Sequence, residues 1–170
     1  DCMALMLAAA NGSVQVAEML LRHGARINLQ DRKHGVTALM AAAANGHEQV
    51  AEMLLRHGAG INLQDNIGGT ALMLAAHYGH PAVVLRLLRA GADMTLRSSG
   101  RTALHYAKDK GHSECARALE EHAAAKAAAE KATKEAAWAA GAAERAAAWA
   151  AAEKEAARHA KELLAEVEAE

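Results

Sequence analysis

The chain has 170 residues, the length of one ordinary domain, but no Phe, one Pro and only two each of Trp and Tyr. So few large side chains exclude a single thick core and favour many thin contacts between small helices. The net charge of −1 divides into +1 over residues 1–122 and −2 over 123–170; neither part has the basic excess that nucleic-acid binding needs, and no apolar run of about 18 residues is free of charge, so no membrane span is indicated.

Taken in chain order, the sequence repeats itself. Laid under itself at Gly12, Gly46, Gly79 and Gly111, it shows spacings of 34, 33 and 32 residues. The first unit opens on residues 4–13, A-L-M-L-A-A-A-N-G-S, and continues with V-A-E-M-L-L-R-H-G-A at 16–25. The second reads A-L-M-A-A-A-A-N-G-H at 38–47, then the identical V-A-E-M-L-L-R-H-G-A at 50–59. The third reads A-L-M-L-A-A-H-Y-G-H at 71–80, then V-V-L-R-L-L-R-A-G-A at 83–92, and the fourth opens on A-L-H-Y-A-K-D-K-G-H at 103–112.

Each unit predicts two short helices. Thr37, Thr70 and Thr102 stand one residue before an apolar run, where a hydroxyl can accept from the first free N–H groups. Gly46 ends a first helix, since glycine adopts positive φ without steric cost. Pro81 follows Gly79-His80 at a first-turn position, where a missing N–H does no harm. Gly58 and Gly91 end second helices. Leu20, Leu21, Leu54, Leu55, Leu87 and Leu88 recur at helical spacing. A lone helix pair cannot bury that stripe, whereas a stacked series can.

This pattern resembles the ankyrin repeat, in which D-x-x-G-x-T-P-L-H-x-A-A-x-x-G-H leads into a second helix and a G-A-D-x-N loop. The resemblance covers residues 1–122 and rests on the period, both glycines of each unit and the apolar positions. It implies an all-α solenoid of helix–turn–helix pairs with β-hairpin loops. The units would span about 1–30 (truncated), 31–64, 65–98 and 99–122, followed by an Ala-rich, low-complexity extended helix over 123–170.

Some positions depart from the family pattern. Ala4, Ala38, Ala71 and Ala103 replace its Pro, and Met6, Met40 and Met73 replace its His, which survives at His105. One extra residue between Asp31 and Thr37 is expected to distort the second hairpin tip. Arg97 stands where the earlier units have Asp31 and Asp65, so the fourth hairpin is expected to lose an Asp contact to backbone. In the first unit Leu5, Met6, Leu20 and Leu21 keep the internal pattern, although terminal repeats usually turn a polar face outward. The chain is therefore expected to be a piece of a longer array, or to have this face covered.

At the other end Ala123 takes the place of Gly91, and nothing stops the last helix. Of residues 123–170, 24 are Ala, the best helix former, and most others are Lys, Glu and Arg. Pairs at helical spacing include Lys126–Glu130, Glu130–Lys134, Lys131–Glu135 and Arg158–Glu162, each contributing ~0.2–0.5 kcal/mol. The final helix is thus expected from about Ser113 to near Glu168. Gly141 is its weak point, at ~1 kcal/mol relative to Ala. Trp138 and Trp149, almost three turns apart, share one face and could anchor a partner helix or a second copy; a plain solvated helix is the alternative. Leu163 and Val167 form a separate apolar stripe.

Reactive chemistry is not indicated. His47, His80 and His112 share one slot, for which the resemblance implies structural hydrogen bonds around the inter-helix turn. His23 and His57 share another near second-helix ends, where a cation complements the helix dipole. His112-x-x-Cys115 has no second pair, so no metal or other cofactor is expected. There is no H-E-x-x-H, G-x-S-x-G or phosphate loop, and no enzyme is expected. Cys2 and Cys115 read as free thiols, in keeping with an intracellular, cytoplasmic setting. The sequon Asn11-Gly12-Ser13 reads as fortuitous. Asn28 and Asn62 occupy a loop slot that is hydroxylated in some family members, but Arg26 and Gly60 replace the acid two residues before it. A hydrogen-bonded loop role is expected for both.

The resemblance implies a protein-binding function carried by hairpin tips and the concave face of the first helices. Those positions here are Arg32, Lys33, His34 and Val36, then Asn66, Ile67 and Gly69, then Ser98, Ser99 and Arg101. On the helices they are Ala44, Asn45, His77, Tyr78, Asp109 and Lys110, with Ala10 and Asn11 in the first unit. Tyr78, an aromatic among polar groups, is the expected anchor. The expected partner is an unidentified protein, with no nucleic acid and no membrane. The alternative function is structural, with the Ala-rich helix self-associating or packing on a partner helix through Trp138 and Trp149.

Overall fold

The computed structural model describes the backbone of residues 2–168 and the side chains of 3–161. Four helix pairs follow one another: α1 (Cys2–Ala10) and α2 (Val14–Arg22), α3 (Ala38–Ala44) and α4 (Glu48–Arg56), α5 (Ala71–Tyr78) and α6 (Pro81–Arg89), α7 (Ala103–Asp109) and α8 (Ser113–Glu168). Among the described residues there is no strand; the one β-bridge joins Ser98 and Arg101. By contacts the chain divides into two compact units, Asp1–Ala123 and Ala124–Glu170.

The expected threonine caps form, directly at Thr37 and Thr70 and as a reciprocal box with His105 at Thr102. Thr37 Oγ1 accepts from Met40 N at 3.2 Å and Thr70 Oγ1 from Met73 N at 3.3 Å, both inside the stack. Thr102 differs: its hydroxyl bonds the His105 ring at 2.8 Å, and that same Nδ1 receives the Thr102 N–H at 3.4 Å. The replacement of His by Met also acquires a reason. Met40 and Met73 are buried between first helices, whereas the equivalent slot in the last unit is exposed and holds polar His105.

Within Asp1–Ala123, α1, α3, α5 and α7 pack in one row, and α2, α4 and α6 in a second. Ala9, Ala42, Ala43, Ala75, Ala76 and Ala107 are fully buried, so the first helices meet through methyl groups at close range. That is how a chain without Phe can still close its core. Larger side chains fill the second row: Val50, Leu54, Val83 and Leu87 are buried. Val16 and Met19 are exposed, whereas Val50 and Met53 in the same slots are covered by the preceding pair.

The histidine slot joins neighbouring pairs. His47, His80 and His112 donate from Nε2 to carbonyls one unit back: Ala10 at 2.8 Å, Ala44 at 3.0 Å and His77 at 3.0 Å. A carbonyl only accepts, so Nε2 carries the proton. These bonds run between units, not around the turn of their own unit. Each ring lies flat on the turn glycine before it. At Gly46 φ is +74°, and a Cβ would stand 2.5 Å from His80 Nδ1. His23 and His57 bond the carbonyls of Met19 and Met53, at 2.8 and 2.9 Å, at the ends of their helices.

Within Ala124–Glu170, α8 continues through Gly141 without a break. Lys131 and Glu135 approach to 3.8 Å. Trp138 and Trp149 are 73% and 76% exposed. The Arg145 guanidinium lies 5.3 Å from the Trp138 ring centre, a cation–π contact. Arg145 Nη1 passes over Gly141, 3.3 Å from where a Cβ would be. Leu163, Val167 and the pair Arg158–Glu162 lie outside the described side chains, wholly or in part.

Candidate binding surface

Three hairpins precede α3, α5 and α7, and each is one residue shorter at its closure than the one before. In the second unit Asp31 N bonds Val36 O at 3.0 Å, and Gly35 N bonds Asp31 O at 3.0 Å. In the third Asp65 N bonds Gly69 O at 2.8 Å, and Gly68 N bonds Asp65 O at 3.0 Å. In the fourth Ser98 and Arg101 exchange both bonds, at 3.0 and 2.9 Å. The extra residue before Thr37 is therefore absorbed by a wider closed turn, with the hairpin intact.

Aspartate organises the first two of these tips. Asp31 accepts from Val36 N at 2.6 Å, His34 N at 3.0 Å and Lys33 N at 3.2 Å. The Val36 N–H above all, with those of His34 and Lys33 and against the opposing effect of burial, holds the Asp31 carboxyl below its ordinary range. Asp65 accepts from Gly69 N at 2.6 Å and Ile67 N at 3.0 Å. Arg97 supplies no acceptor, as expected, but its guanidinium donates to Gly100 O at 2.8 Å. Ser99 and Gly100 both have positive φ, which a tight two-residue hairpin turn requires.

The hairpins are also laced to one another. Gln30 Nε2 donates to Gln64 O at 2.7 Å, Asn66 N to His34 O at 2.9 Å, and Asn66 Nδ2 to Lys33 O at 3.1 Å. Ser98 Oγ donates to Ile67 O at 2.8 Å. Asn28 Oδ1 accepts from Gly60 N at 2.7 Å and Asn62 Oδ1 from Asp93 N at 2.9 Å, so the loop asparagines tie successive units.

These bonds reduce the surface expected from sequence. Ser98 is only 2% exposed and its hydroxyl is spent on Ile67 O, so it offers a partner nothing. Gly69 is buried against the Asp65 carboxylate and is likewise withdrawn. Asn66 is exposed, but its amide is committed to Lys33 O. Arg32, Lys33, His34, Ile67, Ser99, Arg101, Asn45, Tyr78, Asp109 and Lys110 are exposed, and Val36, Ala44 and His77 half-buried. Arg101 bonds Asp109 at 2.9 Å, which links a tip to the end of an inner helix. On the opposite side Arg86 joins α6 to α4 through Glu48 at 2.6 Å and Glu52 at 3.4 Å.

The structure adds Met73, Leu74 and Tyr106, none of which the sequence marked as part of a binding surface. Together with Ile67, His77 and Tyr78 they line a cleft of about 220 Å³ between the third and fourth hairpins. Their recurrence on first helices was visible; their convergence depends on how hairpins lean over those helices. The His77 ring makes edge contacts with Tyr78 and Tyr106, at centroid distances of 4.9 and 5.7 Å. Burial first, then the nearby Lys110 and His112, push its pKa below the ordinary histidine value.

Among the described residues no group of three or more His, Cys, Asp or Glu is placed to hold a metal. Cys115 is buried, and burial, then Glu114, pushes its thiol pKa up, which opposes nucleophilic use. No helix is long and apolar enough to cross a membrane among the described residues. A family model described as ankyrin repeats, in three copies, matches residues 1–65 and 57–133, and no curated protein matches the chain.

Proposed function

The chain belongs to the ankyrin-repeat family, and on that premise we propose that it is a non-enzymatic module that binds a partner protein through its hairpin tips and inner-helix face. Repeats of this family are generally protein–protein interaction modules. The observation that carries the placement is the exposure of two large apolar side chains on this side. Ile67 on the third tip and Tyr78 at the end of α5 stand among polar and charged groups. An exposed aromatic ringed by polar residues is the usual form of a binding hot spot. The partner is a protein, met inside the cell, and no cofactor takes part.

A photo-crosslinking residue placed at Ser99 or Asn45 should capture the native partner, and the same residue at Leu85 on α6 should not. Tyr78→Ala combined with Arg32→Ala and Lys33→Ala should weaken the captured partner at least about tenfold, or ~1.4 kcal/mol, with helicity kept. Crosslinks from Leu85 alone would place binding on the opposite side.

A second reading concerns the tail. Two indoles more than 70% exposed on one helix favour helix–helix association, with a second copy or a partner helix. Light scattering of the full chain should then report a mass above that of the monomer, which Trp138→Ala with Trp149→Ala should abolish. A monomer at every concentration rules out self-association.

A further inference from the structure

The cleft between the third and fourth hairpins has a chemistry that narrows the partner. Much of its polar rim is already spent. Asp65 Oδ1 holds the N–H groups of Ile67 and Gly69, Ser98 Oγ is given to Ile67 O, and Tyr106 Oη donates to Ser98 O at 3.2 Å. A polar guest would lose its water and find few partners in return, and each unmade bond is costly. The walls that remain are Ile67, Met73, Leu74 and the rings of His77, Tyr78 and Tyr106.

The charges around the cleft are unequal. On the acidic side Asp31 and Asp65 face their own backbone N–H groups, and Asp109 is paired with Arg101. On the basic side no carboxylate comes within ion-pair distance of Lys110 among the described residues, yet its field reaches the His77 ring. Lys33 stands on the adjoining tip, where its carbonyl receives the Asn66 amide one residue before Ile67. Counted over the tips and the end of α7, Arg32, Lys33, Arg97, Arg101 and Lys110 outnumber Asp31, Asp65 and Asp109, so the net charge on this side is positive even with the Asp65 carboxylate in the cleft wall.

We propose that the cleft takes one bulky apolar side chain from a partner segment whose flanking residues are acidic. The inference rests on the protein-binding reading above and specifies its anchor point. The apolar guest excludes water between Ile67 and Tyr78, and carboxylates on either side meet Lys110 and Lys33. Such a centre, desolvated and ringed by charge, concentrates binding energy in few residues and sets orientation by electrostatics.

The test uses the full chain carrying isotope-labelled methionine and isoleucine methyl groups. The probe is a short capped peptide with leucine at its centre and glutamate and aspartate on both sides. Saturable shifts of the Met73 and Ile67 methyls are expected. A serine-centred peptide, and a lysine-flanked one, should each bind at least tenfold more weakly at low salt. Ile67→Ser should weaken the acidic peptide about tenfold; this side chain is 72% exposed, so the substitution spares the core. Lys110→Glu should weaken the acidic peptide and strengthen the lysine-flanked one, a reversal that lost packing would not produce. Equal binding of the serine-centred or lysine-flanked peptide overturns the inference, as does failure of the acidic peptide to move the Met73 methyl. In either case the wider surface stands or falls separately, on the crosslinks from Ser99 and Asn45.

Discussion

The histidine–glycine contact between units is the feature most open to quantitative test. Replacing Gly46 by Ala places a Cβ 2.5 Å from His80 Nδ1 while holding a residue at φ +74°. The backbone cost of the left-handed conformation is about 1–2 kcal/mol. Displacing the ring also breaks the 3.0 Å bond from His80 to Ala44 O, a further ~0.5–1.5 kcal/mol. The sum is about 1.5–3.5 kcal/mol. Gly111 provides the control. It has the same φ of +74°, but no atom within 4 Å of its Cβ position, so Gly111→Ala should cost only the backbone part, ~1–2 kcal/mol. Urea titration of the full chain, followed by circular dichroism, measures both. The stack should unfold cooperatively, whereas a helix without a packed partner melts gradually. In a His80→Ala background the cost of Gly46→Ala should fall to that of Gly111→Ala. If Gly46→Ala costs no more than Gly111→Ala, or costs the same with and without the His80 ring, the ring contact contributes nothing and the argument fails.

Other consequences follow from single contacts. Thr70→Ala removes a buried cap on Met73 N and should cost about 1 kcal/mol in the same titration; a change near zero would show that the N–H finds another acceptor. Because the folded Asp31 carboxyl lies below its ordinary range, its contribution is present at neutral pH and lost as pH falls through the folded value. Its carboxyl carbon and the Val36 amide should therefore titrate together with a midpoint below that of an ordinary aspartate, and an ordinary midpoint would remove the role of the N–H cluster. Gly141→Ala should strengthen the tail helix by up to ~1 kcal/mol, since only the flexible end of Arg145 must shift. Increased ellipticity is the expected sign; a decrease would mean that the Arg145–Trp138 contact outweighs helix propensity.

The positions legible in the sequence are those whose cause is local or periodic. The period of 32 to 34 residues, the threonines before the first helices, Pro81 at a first turn and the unbroken run past Ala123 each follow from backbone preferences of a few neighbouring residues. A repeat also announces that its apolar stripe is met by the next copy, so Leu54 and Leu87 could be assigned to the core before any coordinates. Other features depend on residues from adjacent units meeting at a particular distance, which no single unit encodes. The bond from His47 to a carbonyl 37 residues earlier is one, and the withdrawal of Ser98 by Ile67 O, 31 residues away, is another. The fourth hairpin shows the distinction within one loop. The loss of aspartate at Arg97 could be read directly, but the Ser98 hydroxyl was expected on the surface. Only the stacking of one hairpin on the previous one turned it inward and opened the apolar cleft beside it, because burial is set by the neighbour in space and not by the neighbour in sequence.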